Sequence, residues 1–259
     1  MELHEQLEEI KYFFLDLDKT LWNWDDTIIG AEDLVHSLRQ RDRQVYFHTD
    51  NTLLTREQYA KKLTGMNIGA EPEQVLTAGH STGLKLEKDN VNKAYVIGES
   101  GLIEELERHD VKMTDEAENV VMGFDRQFSY RKTRKAMKIL EDGGKLYVCS
   151  NEQVFRTSKV KQPHQGLFNA GFRRYDPVLT GKPGEAYIDA FQDYFDFFPD
   201  RSLLVGDRLA DVELGNRLGM KTGAVMSGDI TREKLKRADD VQKPDFGISS
   251  LNKLRTKFV

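Results

Sequence analysis

Short apolar runs alternate with amphipathic helical patterns along this chain, and this alternation constrains the fold more than any other feature. Residues 12–15 are four large apolar side chains, the pattern of a strand buried on both faces. Residues 30–41 then carry apolar side chains at helical spacing, and a second buried strand pattern follows at 44–50. Strands that alternate with helices form parallel sheets covered by helices. We therefore predict an α/β fold built on a parallel sheet.

The alternation continues into the late part of the chain. Thr55 and Gln58 have the spacing of a capping box, and Ser129 precedes a helical pattern that ends near residue 140. Further strands are predicted at 75–78, 93–99, 119–124, 145–150 and 202–207, and further helices at 102–108 and 184–195.

Composition excludes several classes of function. The chain has 259 residues, enough for two compact units, and its net charge of -5 gives no general attraction for nucleic acid or anionic membranes. No apolar run is long enough to span a bilayer, and the acidic N-terminal segment MELHEQLEEIK does not resemble a secretion signal. Cys149 is the single cysteine, which excludes an internal disulfide and fits a reducing compartment. We expect a soluble cytoplasmic protein.

Four polar motifs fall at strand ends or helix starts, where open α/β sheets bind ligands. They are DLDKT (16–20), HTDN (48–51), TGKPGEAY (180–187) and VGDRLAD (205–211). Each alone has an ordinary explanation, because an Asp after a strand is usually a turn former or a helix cap. Their occurrence together, after separate buried strands, indicates one polar site.

Acidic groups dominate this predicted site. Side chains alternate along a strand, so Asp16 and Asp18 are expected to project to one side, and Asp207 and Asp211 follow another strand. Four carboxylates at one sheet edge repel each other unless a cation lies between them. Hard oxygen ligands of this kind favour Mg²⁺, and a metal with Lys182 would stabilise the charge that develops during phosphoryl transfer.

The order of these motifs resembles the haloacid dehalogenase (HAD) superfamily of phosphatases. Several longer stretches, in family order, are similar to its p-nitrophenylphosphatase and phosphoglycolate phosphatase branch, which has a type IIA α/β cap. These stretches are GAEDLVHSLRQR through HTDN, VLTAGHSTGLKL, AYVIGESGLIEEL, VVMGFDRQFSY, GGKLYVCSN and GKPGEAY. The resemblance implies a Rossmann-like HAD core at 1–80 and 178–259, with an inserted cap domain at 81–177.

The resemblance also implies a role for each acidic residue. Asp16 would be the nucleophile that forms an aspartyl-phosphate, and Asp18 would be the general acid and base. The carboxylates of Asp16 and Asp207 would hold Mg²⁺ with the main-chain carbonyl of Asp18, and Asp211 would support them.

Phosphate binding would fall to the other two motifs, at Thr49, Asp50, Asn51 and Lys182. Two positions depart from the family pattern: Asp50 stands where the family usually has Asn, and Lys19 where it usually has Gly. By strand alternation, the Lys19 side chain is expected to face away from Asp18.

Two further features have open or structural interpretations. His48 is expected to be a packed residue that faces the opposite side of its strand from Thr49. Residues 155–164 form a basic loop, which is either a solvated surface or a contact for a second anionic group of the substrate; it carries Arg156, Lys159 and Lys161.

The function predicted from these features is Mg²⁺-dependent hydrolysis of a small phosphorylated metabolite. Phosphoglycolate, a sugar phosphate, glycerol phosphate and a nucleotide monophosphate all stay open as substrates. The alternatives are a phosphotransferase on the same core, and a non-catalytic binding or regulatory protein in which Lys19 and Asp50 mark a lost site. We expect no nucleic acid or membrane partner, and the resemblance leaves a homodimer open.

Overall fold

The computed structural model describes residues 7–23, 26–156, 160–226 and 228–256 and divides the chain into two compact units. The first unit comprises residues 1–49, 60–75 and 195–259, and the second comprises 50–59 and 76–194. The domain borders inferred from the family pattern, 1–80 with 178–259 and 81–177, stay a prediction.

Fifteen strands are defined in the described part of the chain. They are β1 Tyr12–Asp16, β2 Trp22–Asn23, β3 Asp26–Thr27, β4 Gln44–Thr49, β5 Val75–Thr77, β6 Lys93–Ile97, β7 Lys112–Met113, β8 Val120–Met122, β9 Leu146–Val148, β10 Val154–Arg156, β11 Lys161–Pro163, β12 Val178–Leu179, β13 Ser202–Gly206, β14 Lys221–Val225 and β15 Phe246–Ile248.

Ten α-helices are defined in the same residues. They are α1 Ala31–Arg39, α2 Arg56–Gly65, α3 Ala78–Lys88, α4 Ser100–Glu107, α5 Tyr130–Glu141, α6 Gln165–Asn169, α7 Glu185–Tyr194, α8 Leu209–Arg217, α9 Arg232–Lys236 and α10 Leu251–Arg255. Within the described ranges, no helix is both long and apolar enough to cross a membrane.

A six-stranded sheet, in the order β15-β14-β13-β1-β4-β5, organises the first unit. Strand β1 pairs in parallel with β13 on one side and with β4 on the other, in a register that sets Leu15 beside Val205 and Asp16 beside His48. Phe13, Phe14 and Leu15 of β1 are fully buried and Tyr12 is partly buried, as expected for a central parallel strand. This pairing brings the carboxyl ends of three strands side by side.

The second unit has its own sheet, in the order β12-β9-β8-β6-β7, with parallel pairing throughout. Its strands pack against α5 through a core that includes Ile97, Val120, Ile139 and Phe172. The two sheets confirm the predicted α/β class with parallel strands.

Local signals explain where several helices begin. The Ser129 hydroxyl accepts a hydrogen bond from the Lys132 main-chain N–H, which caps α5 as predicted. Thr55 and Gln58 make the reciprocal contacts of a capping box. The prediction of a strand through residue 78 was one residue too long, because the Thr77 hydroxyl accepts the His80 N–H and α3 begins at Ala78.

Candidate active site

Acidic side chains meet at the neighbouring strand ends of the first unit. Asp16 is the last residue of β1, and Asp207 directly follows β13; both are completely buried. Asp211 lies in the first turn of α8 and is also completely buried. Because Leu15 is in register with Val205, residues from distant parts of the sequence end at the same edge of the sheet.

Asp16 is surrounded by groups that direct its carboxylate. The Thr20 hydroxyl donates to Oδ2 at 3.2 Å, and the Arg208 guanidinium lies 3.9 Å from Oδ1. The carboxylates of Asp16 and Asp211 and a ring nitrogen of His48 all lie within 4.8 Å of one another. His48 therefore lies beside the acidic cluster through its register with Asp16, which strand alternation relative to Thr49 had not suggested.

Asp18 lies beyond the end of β1, so the alternation of the strand does not reach it. The Trp22 indole N–H donates to Oδ1 at 3.0 Å, and the Thr49 hydroxyl donates to Oδ2 at 3.4 Å. The turn after β1 is held by hydrogen bonds from the main-chain N–H groups of Leu21 and Trp22 to the Leu17 carbonyl. Asp18 is thus oriented by two donors and linked to Thr49 at the end of β4.

Asp207 has one satisfied and one unsatisfied oxygen. Its Oδ2 accepts the main-chain N–H of Asp229 at 2.8 Å, whereas its Oδ1 is buried without a hydrogen-bond partner in the described residues. Burial raises the pKa of Asp207, the Arg208 charge opposes this shift, and the neighbouring Asp211 charge adds to it. The carboxylate therefore lies in a place where a cation would be strongly favoured.

This donor set fits Mg²⁺. A buried carboxylate oxygen without a donor, next to two further buried carboxylates, is costly to keep ionised unless a cation compensates it. Carboxylate oxygens are also the hard ligands that Mg²⁺ prefers. Asp16, Asp207 and Asp211 have the chemistry to hold such an ion.

Lys19 and Asp229 extend the site in a way the sequence did not indicate. Lys19 has a left-handed backbone with φ of 63°, which turns the chain out of the strand geometry on which its predicted direction depended. Its Nζ lies 3.1 Å from Oδ1 of Asp229. Asp229 follows a glycine in the loop after β14, and that Gly-Asp pair was the available signal for a turn near the site.

The remaining predicted residues lie in the second unit. The buried carboxylate of Asp50 accepts a hydrogen bond from the Ser150 hydroxyl at 2.8 Å, and the Asn51 side chain accepts the Leu53 N–H at 3.1 Å. Lys182 is also buried, lies three residues before the start of α7 and is followed by a cis proline. Their association with the acidic cluster stays a prediction.

Close approach of the chain beside Lys182 depends on Gly181. A Cβ atom at this position would lie 1.8 Å from the Cys149 carbonyl oxygen and 3.3 Å from the Asp50 Cβ. Glycine therefore allows the segment that carries Lys182 to pack against Asp50.

Two features are not part of the acidic cluster. Burial raises the pKa of Cys149 to about 11, which leaves an unreactive thiol, as its burial would suggest. In the basic loop, Lys159 belongs to the stretch 157–159, which lies outside the described residues. Lys161 is described and is exposed.

Comparisons with known proteins agree with the geometry. The family model described as haloacid dehalogenase-like hydrolase matches residues 13–112, and a second, described as HAD-hydrolase-like, matches residues 179–254. A 5′-nucleotidase of Bacillus subtilis is 29% identical over 251 residues, which cover 95% of this chain and 97% of the relative. Chloroplastic phosphoglycolate phosphatase 1A of Arabidopsis thaliana is 26% identical over 277 residues, with 95% and 76% covered.

A solved structure shares the fold over almost the full chain. The 4-nitrophenylphosphatase of Thermotoga maritima superposes with a TM-score of 0.87 at 27% identity, and 97% of this chain and 98% of that one are covered. The two family models, the parallel sheet and the full-length similarity to phosphatases show that this chain belongs to the haloacid dehalogenase-like hydrolases.

Proposed function

We propose that this chain, a phosphoric monoester hydrolase of the haloacid dehalogenase type, hydrolyses small phosphate esters with Mg²⁺ through an aspartyl-phosphate intermediate. One observation carries the proposal: Asp16 and Asp211 lie in a single buried cluster, and the buried Oδ1 of nearby Asp207 has no donor in the described residues. Such a group of carboxylates is suited to a divalent cation and to the chemistry of a transferring phosphoryl group.

Asp16 would act as the nucleophile. One carboxylate oxygen would form a bond to phosphorus while the bond between phosphorus and the ester oxygen breaks. The contacts from Thr20 and Arg208 support this role, because they hold the carboxylate in one orientation at the strand end.

Asp18 would move the protons of both half-reactions. It would donate a proton to the leaving alcohol oxygen and then remove one from the water that attacks the aspartyl-phosphate, releasing inorganic phosphate and restoring Asp16. Hydrogen bonds from Trp22 and Thr49 support this role by fixing the direction of the Asp18 carboxylate.

Asp16, Asp207 and Asp211, with the main-chain carbonyl of Asp18, would hold the metal. When bound, Mg²⁺ would offset the repulsion between the carboxylates and stabilise negative charge on the phosphoryl oxygens. In the proposal, Thr49 and Lys182 bind those oxygens, and residues 50–51 support them.

The substrate class is a small phosphorylated metabolite. Relatives described above are named for phosphoglycolate and for 5′-nucleotides, so similarity does not select a single ester. The predicted cap at 81–177 would shield the aspartyl-phosphate from water and supply selectivity.

The test is phosphate release from a panel of esters with Mg²⁺, using phosphoglycolate, glycerol 3-phosphate, sugar phosphates, nucleoside monophosphates and p-nitrophenyl phosphate. Wild type and the exposed-surface control Asp240→Asn should both release phosphate, and Asp16→Asn should not. Wild-type turnover in Asp16→Asn would overturn the nucleophile assignment.

The panel also separates the alternatives. Transfer of phosphate to an added alcohol without an equal amount of free phosphate would identify a phosphotransferase. Absence of Mg²⁺-dependent release from every ester would favour a non-catalytic binding protein.

A further inference from the structure

Two histidines and a glutamate of the second unit form a compact cluster made of different residues from the acidic site. The His80 Nδ1 lies 2.8 Å from the His109 Nε2 and 3.5 Å from the Glu105 Oε1. One ligand atom from each residue falls within 4.8 Å of the other two. The three side chains are 7%, 8% and 1% exposed for His80, His109 and Glu105, so the cluster is shielded from water.

The backbone of α3 makes room for this cluster. A Cβ atom at Gly83 would lie 2.1 Å from the His109 ring, and one at Gly79 would lie 3.3 Å from the Glu105 Cβ. These two glycines, one helical turn apart, let His109 and Glu105 approach the helix that carries His80. The close packing of the three side chains therefore depends on glycine at both positions of α3.

Hydrogen bonds prepare His109 to act as a ligand. Its Nδ1 lies 2.7 Å from the Glu87 carboxylate, which accepts the Nδ1 proton and leaves a lone pair on Nε2. That lone pair is on the nitrogen that lies 2.8 Å from the His80 Nδ1. A carboxylate behind an imidazole is a common arrangement in metal sites, because it fixes the tautomer and the orientation of the ring.

Glu105 is held as an anion. The Arg56 side chain forms an ion pair with the Glu105 carboxylate, which favours its ionised form. Arg56 donates to Oε1 at 2.7 Å through its side chain and to Oε2 through its main chain. A carboxylate has about four lone-pair positions, so the two bonds from Arg56 leave room for a bond to a cation.

The His80 Nδ1 and the His109 Nε2 are 2.8 Å apart, and two imidazole nitrogens this close must share a proton or a cation. We propose that His80, Glu105 and His109 form a binding site for Zn²⁺ or a similar borderline divalent cation. Two imidazole nitrogens and one carboxylate oxygen form a donor set typical of zinc, with a water as fourth ligand.

The geometry requires only a small adjustment. Bonds of about 2.0–2.1 Å in a tetrahedral zinc site place ligand atoms roughly 3.3 Å apart. The distance between His80 and Glu105 is close to this value, and the two ring nitrogens would separate by about half an ångström. Binding would join α3 to α4 and to the turn that follows α4.

The test uses the full chain with Asp16→Asn, Asp207→Asn and Asp211→Asn, so that the three carboxylates of the acidic cluster no longer compete for the metal. After metal is removed with a chelator, Zn²⁺ is titrated by calorimetry, and Co²⁺ is used to record the visible absorption of a tetrahedral site. We expect one equivalent of Zn²⁺ in this background and the same in the His36→Gln control, which replaces an exposed histidine of the first unit.

Further variants separate a metal site from a structural contact. His109→Gln and His80→Gln should each abolish binding of the one equivalent of Zn²⁺ and the Co²⁺ absorption bands. Glu87→Gln leaves all three ligands in place and should weaken Zn²⁺ binding roughly 10- to 100-fold. Circular dichroism of the metal-free variants controls for folding. Should His109→Gln not fold, the Glu87→Gln comparison still decides. Zn²⁺ affinity unchanged in Glu87→Gln and the folded histidine variants, or no Zn²⁺ binding in the parent background, would overturn the proposal.

Discussion

Lys19 and Asp229 form an ion pair at 3.1 Å, and the main-chain N–H of Asp229 donates to the Asp207 carboxylate. The pair is largely buried, with the two side chains 17% and 8% exposed. The residue that departs from the family pattern in the first motif is therefore linked, through one loop residue, to a predicted metal ligand in the last motif.

Two replacements of Lys19 distinguish the effect of the ion pair on stability from the effect of the left-handed backbone. Lys19→Gly and Lys19→Ala both remove the contact with Asp229, but only alanine must adopt the left-handed φ of 63° with a side chain. We expect Lys19→Ala to be less stable than Lys19→Gly by about 1 kcal/mol. Urea unfolding of the two variants measures the difference, and equal midpoints would contradict the left-handed conformation.

Asp18→Asn tests proton transfer, because asparagine keeps the size of the side chain and an oxygen that can accept the Trp22 indole N–H, but it cannot supply the acid. We expect release of alcohol from glycerol phosphate to fall roughly 10²- to 10⁴-fold. The first burst of nitrophenol from p-nitrophenyl phosphate should fall less, since nitrophenolate leaves more easily without a proton. Equal losses for both esters in rapid-mixing measurements would argue against a general acid.

Asp207→Asn tests whether Mg²⁺ binds at the acidic cluster, with thermal stability rather than activity as the measurement. In the wild type, Mg²⁺ should raise the thermal midpoint, because an ion that binds the folded state alone stabilises it. Asn at 207 removes the buried charge, so the metal-free variant should be at least as stable as metal-free wild type, with no response to Mg²⁺. An equal Mg²⁺ response in both proteins would place the ion elsewhere.

Gly181→Ala tests the close approach beside Lys182. A Cβ atom 1.8 Å from the Cys149 carbonyl forces the backbone to move, and we expect a loss of roughly 1–3 kcal/mol in unfolding free energy. Gly171→Ala is the matched control in the same unit, because no atom lies within 4 Å of its added Cβ. The contact is disproved if the two variants unfold at the same denaturant concentration.

Asp89 makes the second unit sensitive to acid. It accepts hydrogen bonds from the Tyr147 hydroxyl and from Lys85, each at 2.6 Å. Burial opposes ionisation, but these two bonds and the Lys85 charge lower the pKa of Asp89 below its ordinary value of 3.8. A lowered folded-state pKa gives stability that is present above 3.8 and is lost as pH falls through the folded-state value.

We therefore expect Asp89→Asn to lower the free energy of unfolding by roughly 1–3 kcal/mol at neutral pH. This difference from wild type should shrink below pH 3.8. Denaturant unfolding between pH 7 and pH 3 measures it, with Asp115→Asn as a control at an acidic residue of the same unit. A penalty that grows as pH falls would have the wrong sign for this pair.

Local chemistry made much of the fold predictable. The Ser129 cap and the box of Thr55 with Gln58 occur where the sequence indicated them, because both depend on contacts within three residues. Strand β14 was missed, since its sequence KTGAV lacks the large apolar side chains that marked β1 and β13. Its place in the sheet comes from pairing with β13, which is a tertiary effect.

The acidic motifs were also visible in sequence, but their surroundings were not. Asp229 lies in no motif and is identified only by its contacts with Lys19 and Asp207. The direction of the Lys19 side chain relative to Asp18 stays a prediction, because a left-handed residue lies outside the strand alternation from which that direction was inferred. His48 lies by Asp16 because neighbouring strands share a register, which a single strand pattern does not contain.

The pairing of β1 with β13 has a consequence for biosynthesis. Leu15 and its neighbour Val205 lie far apart in the sequence, so Leu15 is synthesised long before Val205. Until β13 has been made, β1 in the nascent chain can pair with β4 but lacks its second neighbour, while the contiguous stretch 76–194 is already available to fold. Asp16 and Asp207 can come together only after β13 has been made, so a chain that stops before residue 202 would lack part of the acidic cluster.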